Sequence, residues 1–288
     1  MIKIIASDMD GTLLDSKREI HQENIKAIKR AQELGVQTII STGREYDTVR
    51  PLLDKAGLRC QAVLMNGAEY RDEDGNIIEK INIEKSKVTK ITDMVQAVGI
   101  RTDIFTNEGL YTINTKEESL VGIAHMVMHF EEAASFEEAL ELAKEHPRFK
   151  SLKYIEDIEE FLNSSIEIRK IIAFYNDEEV IASMKKKVHG IGGLAVSSSF
   201  KDNIEITDEF AQKGLTLAKI ADKMGIARDD FMVIGDSFND YSMFQEFNES
   251  YAMENAVPAI KKIAKYITDT NDNAGVAKAI YKALNIQI

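Results

Sequence analysis

Two aspartates one residue apart follow the first apolar run of the chain, in the segment IIASDMDGTLLD at residues 4–15. In an extended chain, side chains two residues apart point to the same side and lie about 6.5 to 7 Å apart. We therefore expect Asp8 and Asp10 to converge on one spot while Met9 points away. Alone, the pair is also compatible with a simple turn, because Asp and Gly are common in turns.

Two other apolar runs also end in polar residues. VQTIIS is followed by Thr42, Gly43 and Arg44, and FMVIG is followed by DSFND at 236–240. If these runs are strands of one parallel sheet, their carboxyl ends lie at the edge where such sheets bind ligands. Three endings of this kind favour an active site over coincident turns.

Four aspartates stand at these strand ends and are candidate ligands of one metal ion: Asp8, Asp10, Asp236 and Asp240. At about 4 Å and an effective dielectric constant near 20, each pair of like charges costs about 4 kcal/mol. Such a cluster needs a cation, and carboxylate oxygens suit Mg²⁺, which also keeps waters and a substrate phosphate. Lys213 could add a positive charge, although lysines are usually at the surface.

A phosphate ester is the natural ligand for a site that contains Mg²⁺ and a lysine. The hydroxyl group of Thr42 and the backbone N–H groups of Thr42 and Gly43 could hold its oxygens, since glycine permits close approach of the backbone. An ionised aspartate could attack phosphorus to form an aspartyl-phosphate, while a second aspartate protonates the leaving alcohol. The sequence therefore predicts hydrolysis of phosphate monoesters.

Four motifs, in order along the chain, resemble those of the haloacid dehalogenase superfamily of phosphatases: DMDGT, STGR, Lys213 and GDSFND. The resemblance covers the full length and implies that Asp8 is the nucleophile, Asp10 the acid/base and Asp236 a magnesium ligand. Lys213 is the third candidate catalytic residue. The candidate phosphate- and substrate-binding residues are Met9, Thr42, Gly43, Arg44, Lys213 and Asn239. The TGR, NGA (66–68) and KGL segments are similar to the Cof-type branch, whose members are mostly sugar-phosphate or broad phosphatases with a C2 cap.

The elements predicted around these motifs explain how distant residues could meet. IKIIAS, VQTIIS and QAVLMN are typical of buried strands, and amphipathic helices are predicted between them. This βαβαβ pattern indicates a parallel sheet with helices on its faces. It resumes late in the chain with a helix at GLTLAKIADKMG and a strand at DDFMVIGD. The predicted fold class is α/β, with a Rossmann-like parallel-sheet core.

Residues 84–198 differ from this alternation. Helices are predicted at EKSKVTKITDMVQAVG and SFEEALELAKEH, among strand-like segments such as RTDIFTN and IRKIIAFYN. The pattern predicts an α+β domain inserted into a discontinuous core of residues 1–83 and 199–288, and a chain of 288 residues is long enough for both. The resemblance implies that the insert is a C2-type cap. We expect it to close over the sheet and select the leaving group.

Composition and charge exclude several other classes of protein. A net charge of −12 argues against nucleic acid as a partner, and no apolar run approaches the roughly 20 residues that cross a bilayer. The start MIKIIASD lacks a secretory pattern, so we expect a cytoplasmic protein. Cys60 is the single cysteine, which excludes an internal disulfide. The expected partner is a small phosphorylated metabolite, and the expected state is a monomer or a weak homo-oligomer.

Three functional hypotheses follow. The first is a Mg²⁺-dependent phosphatase of small metabolites, with sugar phosphates as the expected substrates. The second is a phosphosugar mutase of the same superfamily, which would return the phosphoryl group to a second hydroxyl. The third is a non-catalytic regulator that binds a phosphosugar. Free phosphate as a product distinguishes the first from the second, and binding without turnover would favour the third.

Overall fold

The computed structural model describes residues 1–130, 133, 135–199 and 201–286, without the side chains of residues 129 and 130. Its strands are β1 Ile4–Ser7, β2 Gln37–Ser41, β3 Gln61–Leu64, β4 Glu69–Arg71, β5 Ile77–Lys80, β6 Arg101–Thr106, β7 Gly109–Thr112, β8 Lys153–Tyr154, β9 Ile168–Phe174, β10 Leu194–Ser197, β11 Asn203–Asp208, β12 Phe231–Gly235, β13 Glu249–Ala252 and β14 Tyr266–Ile267. Its α-helices are α1 Gln22–Glu33, α2 Tyr46–Ala56, α3 Lys85–Gln96, α4 Lys116–Phe130, α5 Phe136–Glu145, α6 Pro147–Ser151, α7 Ile158–Asn163, α8 Glu178–His189, α9 Lys213–Met224, α10 Tyr241–Glu246, α11 Pro258–Ile263 and α12 Gly275–Ala283. None of these helices is both long and apolar enough to span a bilayer.

The chain divides into two compact units. The first contains Met1–Ile81, Ser197–Ser199 and Glu209–Ile288, and the second contains Asn82–Val196 and the segment that ends at Asp208. Each unit has its own sheet and its own buried apolar cluster.

The first unit is built on an eight-stranded sheet in the order β14-β13-β12-β1-β2-β3-β4-β5. β1 lies in its middle, parallel to both neighbours, with Ile4 opposite Phe231 and Gln37. All residues of β1 are buried, as expected for a parallel strand covered on both faces. The carboxyl ends of β1, β2 and β12 therefore lie at one edge of the sheet, and the predicted α/β class is confirmed.

The second unit has a six-stranded sheet in the order β10-β11-β9-β6-β7-β8. β11 pairs antiparallel with β9, with Ile204 opposite Ala173. The core segment predicted from the sequence begins at residue 199 and so includes β11. In the structure β11 belongs to the sheet of the second unit instead. The reason is the alternating segment NIEIT, which buries Ile204 and Ile206 in the apolar cluster of the second unit.

A buried ion cluster lies within the second unit. Asp103, on β6, accepts hydrogen bonds from Arg101 at 3.0 Å and from Arg148 at 2.7 Å. The Asp103 side chain is fully buried. Burial acts to raise the pKa of Asp103, but the two guanidinium groups outweigh it and hold that pKa below its usual value. The folded unit therefore depends on a charged Asp103.

We expect Asp103→Asn to destabilise the protein by about 3 to 5 kcal/mol, because it leaves two arginines without their buried counter-charge. Urea unfolding measures the loss. The difference from wild type should shrink as pH falls below about 4, since a carboxylate with a lowered pKa stabilises the folded state only above that range. Glu141→Gln is the control: it breaks an exposed pair with Lys144 and should cost less than about 1 kcal/mol. Equal effects of the two changes would contradict the prediction.

Candidate active site

Three carboxylates meet at the carboxyl edge of the first unit's sheet. Asp8 follows β1, Asp236 follows β12, and Asp240 ends a short 3₁₀ turn at Phe238–Asp240. Each offers one oxygen, and these oxygens lie within 4.8 Å of one another. The backbone N–H of Asp8 donates to the carbonyl of Ile234 at 2.9 Å, which ties the end of β1 to β12. The structure thus brings together residues that are 228 positions apart in the sequence, from 8 to 236.

Lys213 supplies a positive charge to this cluster. Its Nζ donates to Asp8 Oδ1 at 2.6 Å and to Asp240 Oδ1 at 2.7 Å, and the side chain is fully buried. Burial acts to lower the pKa of Lys213, but the charges of Asp240 and Asp8 outweigh it and hold the pKa above its usual value. Lys213 is therefore a permanent cation between two carboxylates.

Close packing of α9 against α10 places Lys213 at this position. A Cβ on Gly214 would lie 2.1 Å from the backbone of Ser242, so only glycine fits there. The backbone N–H of Gly214 donates to the Ser242 hydroxyl at 2.9 Å. The KGL segment therefore provides both the cation and the glycine that lets the helix approach.

The three carboxylates differ in the partners of their oxygens. Asp240 Oδ1 accepts from Lys213, and its Oδ2 accepts the backbone N–H groups of Asp236 at 2.9 Å and Ser237 at 3.1 Å. Asp8 Oδ2 is buried without a hydrogen-bond partner among the described residues. Asp236 Oδ1 accepts from the Thr12 hydroxyl at the long distance of 3.3 Å. Open ligand positions are therefore at Asp8 and Asp236, whereas Asp240 orients Lys213.

The charge balance of the cluster also fits a divalent cation. Burial raises the pKa of Asp8 to about 7, and the negative charge of Asp240 adds to the effect. Burial raises the pKa of Asp236 to about 9, with further contributions from Asp8 and Asp240. A further positive charge beside Lys213 would favour the ionised form of both carboxylates. An orphaned buried oxygen and an excess of negative charge both match Mg²⁺.

Asp10 has a different partner from the three carboxylates of this cluster. β1 ends at Ser7, so Asp8 and Asp10 lie in the segment that follows the strand. The Asp10 side chain is 53% exposed and forms a two-pronged ion pair with Arg44, at 2.5 and 2.7 Å. Gly11 makes the turn with φ +77°, and a Cβ there would lie 2.7 Å from Asp236 Oδ2. The convergence of Asp8 and Asp10 stays a prediction; the negative charge of Asp10 is among the effects that raise the pKa of Asp8, and the guanidinium of Arg44 is directed to Asp10.

The remaining candidate residues line the ends of β1, β2 and β12. Thr42 is buried, and its hydroxyl accepts the backbone N–H of Arg44 at 3.2 Å. Met9 has a buried side chain, and Gly43, after β2, is half-buried. The Asn239 amide donates to Asn66 Oδ1 at 3.4 Å.

The comparisons with known proteins agree with this geometry. The family model described as haloacid dehalogenase-like hydrolase matches residues 5–280. The chain belongs to that family. Phosphatase YwpJ of Bacillus subtilis is 29% identical over 96% of this chain and 98% of its own length. The 5-amino-6-(5-phospho-D-ribitylamino)uracil phosphatase YcsE of the same organism is 33% identical, covering 97% of this chain and 94% of its own. A solved haloacid dehalogenase-like hydrolase from B. subtilis superimposes with a TM-score of 0.84 at 28% identity, covering 97% and 99% of the two chains.

Membership of the haloacid dehalogenase-like hydrolases confirms the family and the enzyme class inferred from the motifs, a phosphoric monoester hydrolase. In this hydrolase two further residues join the site, Thr12 and Asn66. Asn66 adopts φ 60°, and its backbone N–H donates to the carbonyl of Thr42 at 3.0 Å. Both residues lie in segments that the sequence analysis quotes, Thr12 in DMDGT and Asn66 in NGA, but neither was a candidate site residue because their partners Asp236 and Asn239 are remote in the sequence.

Proposed function

We propose that this hydrolase is a Mg²⁺-dependent phosphatase that releases phosphate from monoesters of small metabolites, sugar phosphates in particular. The observation that carries the proposal is the buried Lys213 between Asp8 and Asp240, beside an Asp8 oxygen that has no hydrogen-bond partner in the described part of the chain. The names of two relatives support a small phosphorylated substrate. They are the YcsE phosphatase above and the pyridoxal phosphate phosphatase YbhA of Escherichia coli, which is 24% identical.

In this proposal the Asp8 carboxylate attacks phosphorus, and the bond between phosphorus and the ester oxygen breaks. Lys213 holds Asp8 in place and offsets the charge of the incoming phosphate. To act as the acid, Asp10 must leave Arg44 and take up a proton, which it gives to the leaving alcohol; it then takes a proton from the water that attacks the aspartyl-phosphate. Cleavage of the bond between phosphorus and the Asp8 oxygen releases phosphate and restores the Asp8 carboxylate. The exposed position of Asp10 leaves it accessible to both the alcohol and water.

Asp8 and Asp236 would hold Mg²⁺, because their oxygens have open positions, whereas those of Asp240 are taken by Lys213 and the backbone. The carboxylate of Asp10 is paired with Arg44. Of the four aspartates that the sequence offers as metal ligands, we therefore propose only Asp8 and Asp236. When bound, the ion would supply the positive charge that a phosphate dianion requires among carboxylates. Thr42, Gly43 and Asn239 stay proposed phosphate-binding residues.

The mutase and regulator hypotheses predict other results when phosphorylated metabolites are offered to the protein. A mutase would yield an isomerised sugar phosphate, and a regulator would bind without turnover. The cap role of residues 84–198, a cytoplasmic location and a monomeric or weakly associated state stay predictions.

We expect phosphate release from a panel of phosphorylated metabolites to require Mg²⁺, with a loss of at least about 100-fold after chelation and recovery when the ion is restored. Colorimetric phosphate release and analysis of the organic product measure both outcomes. Asp236→Asn should raise the Mg²⁺ concentration that gives half-maximal activity. Asp229→Asn, an exposed residue away from the cluster, is the matched control and should leave it unchanged. Full activity after chelation, or isomerisation without phosphate release, would overturn the proposal.

A further inference from the structure

Two loops outside the catalytic motifs are hydrogen-bonded to the segment that follows Asp8. The first loop comes after β13 and contains Asn255, and the second comes after β14 and contains Asn271. β12, β13 and β14 run parallel to one another, so both loops lie at the same carboxyl edge of the sheet as Asp236. Neither loop contains a residue that the four motifs identify.

Asn255 connects these loops to the turn at Gly11. Its side-chain N–H donates to the carbonyl of Gly11 at 2.7 Å, and its side-chain oxygen accepts the backbone N–H of Asn271 at 3.1 Å. Because one partner accepts and the other donates, the two partners define the orientation of the amide. The Asn271 side chain donates in turn to the carbonyl of Leu14 at 2.9 Å. Residues 11–14 are therefore held at both ends by groups from remote parts of the chain.

The backbone of Asp10 lies between two such anchors. On one side, the N–H of Asp8 donates to the carbonyl of Ile234 at 2.9 Å. On the other side, Asn255 holds the carbonyl of Gly11. Glycine has the widest choice of backbone conformations, so a turn at Gly11 needs support from outside to keep one of them. The bond from Asn255 supplies such support directly after Asp10.

The position of this backbone matters most during proton transfer. At rest, the Asp10 side chain is held by Arg44, but it must leave Arg44 to act as the acid. The ion pair then no longer holds the carboxyl group, and the backbone determines whether that group reaches the leaving oxygen. A displacement of about 1 Å by a change far from the reacting atoms can cost a factor of about 100 in rate. The turn at Gly11 is therefore a point at which a distant residue can control the acid.

We propose that Asn255 is a positioning residue, which holds the Gly11 carbonyl and thereby the turn that presents Asp10 to the leaving alcohol. This inference rests on the phosphatase function proposed above and on the role of Asp10 as its acid. The Asn255 side chain is exposed, so its replacement should leave the fold intact. Its loss should act through Asp10 and depend on how much each leaving group needs a proton.

The test compares p-nitrophenyl phosphate, whose alcohol departs without a proton, with the alkyl esters glucose 6-phosphate, ribose 5-phosphate and glycerol 3-phosphate. In Asn255→Ala we expect kcat/KM at saturating Mg²⁺ to fall by about tenfold for the alkyl esters that the wild type hydrolyses. The value for p-nitrophenyl phosphate should fall by less than about threefold. We choose kcat/KM because it is determined before the aspartyl-phosphate is hydrolysed. A merely structural loss would lower both values equally.

Asn255→Asp separates the bond to Gly11 from the size of the side chain. The carboxylate can still accept from Asn271, but it has no N–H for the Gly11 carbonyl, so we expect the same selective loss. Its added charge acts on all the esters alike and leaves their ratio unchanged. Asn248→Ala is the matched control: Asn248 is also exposed, and its side chain donates to Asp229 at 3.1 Å. It should alter neither kind of ester.

A wild-type ratio between the two kinds of ester in either Asn255 variant, whether through equal losses or through none, would overturn the inference while leaving the phosphatase intact. Failure of the wild type to release phosphate from all three alkyl esters would instead contradict the proposed function.

Discussion

We expect the Asp8→Asn variant to lose at least about 10⁴-fold of kcat with every phosphate ester, because removal of a nucleophile has effects of this size or larger. The amide keeps the shape of the side chain, and the Lys213 ammonium still has Asp240 as a partner. The fold should therefore survive, which circular dichroism can verify. Phosphate release at saturating Mg²⁺ measures the loss.

Asp10→Asn provides the informative comparison. If Asp10 moves the protons, its loss should slow esters of poor leaving groups more than p-nitrophenyl phosphate, whose alcohol departs without a proton. Asp47→Asn, on the exposed first turn of α2, should leave the rate of phosphate release from both kinds of ester unchanged. Borohydride added during turnover should reduce an aspartyl-phosphate to homoserine, and mass spectrometry should locate it at residue 8. Homoserine at residue 10, or activity in Asp8→Asn, would contradict the assigned roles.

The parallel strands could be predicted from sequence because their burial is visible in the residues. β1, β2 and β12 are covered on both faces, and each contains consecutive buried apolar residues: IIA in β1, II in β2 and FMVI in β12. The catalytic motifs follow directly after these runs. Their position therefore predicts that they lie at the carboxyl edge of the sheet. Short strands near the edges, such as β5 with its exposed Ile77 and Ile78, carry no such signal and were not predicted.

Features that depend on turns and on distant partners could not be predicted. The direction of the Asp10 side chain is set by a turn at Gly11 that fits against Asp236, a residue remote in the sequence. The role of Asp240 emerges only when its oxygens are seen to accept from Lys213 and from the backbone. Apolar and polar residues alternate in β11, and this pattern is compatible with the sheet of either unit. Only its pairing with β9 shows that it belongs to the second unit.

A linkage between protons and Mg²⁺ follows from the crowding of carboxylates at the site. In the metal-free protein, burial and neighbouring charge raise the pKa of Asp8 to about 7 and that of Asp236 to about 9. The pair therefore carries protons at pH 6 that the ion must displace, since a ligand carboxylate has to be ionised. Above pH 9 few such protons remain. Mg²⁺ affinity must rise with pH between these limits.

We expect the dissociation constant for Mg²⁺ to fall by about tenfold per pH unit between pH 7 and 9, where about one proton is released, and more steeply below pH 7. Calorimetric titration in two buffers of different ionisation enthalpy counts the protons without any assay of activity. Asp236→Asn should release about one proton fewer at pH 8 and bind more weakly, whereas Asp229→Asn should match the wild type. Affinity that is constant from pH 6 to 9, without proton release, would show that these two carboxylates do not form the metal site.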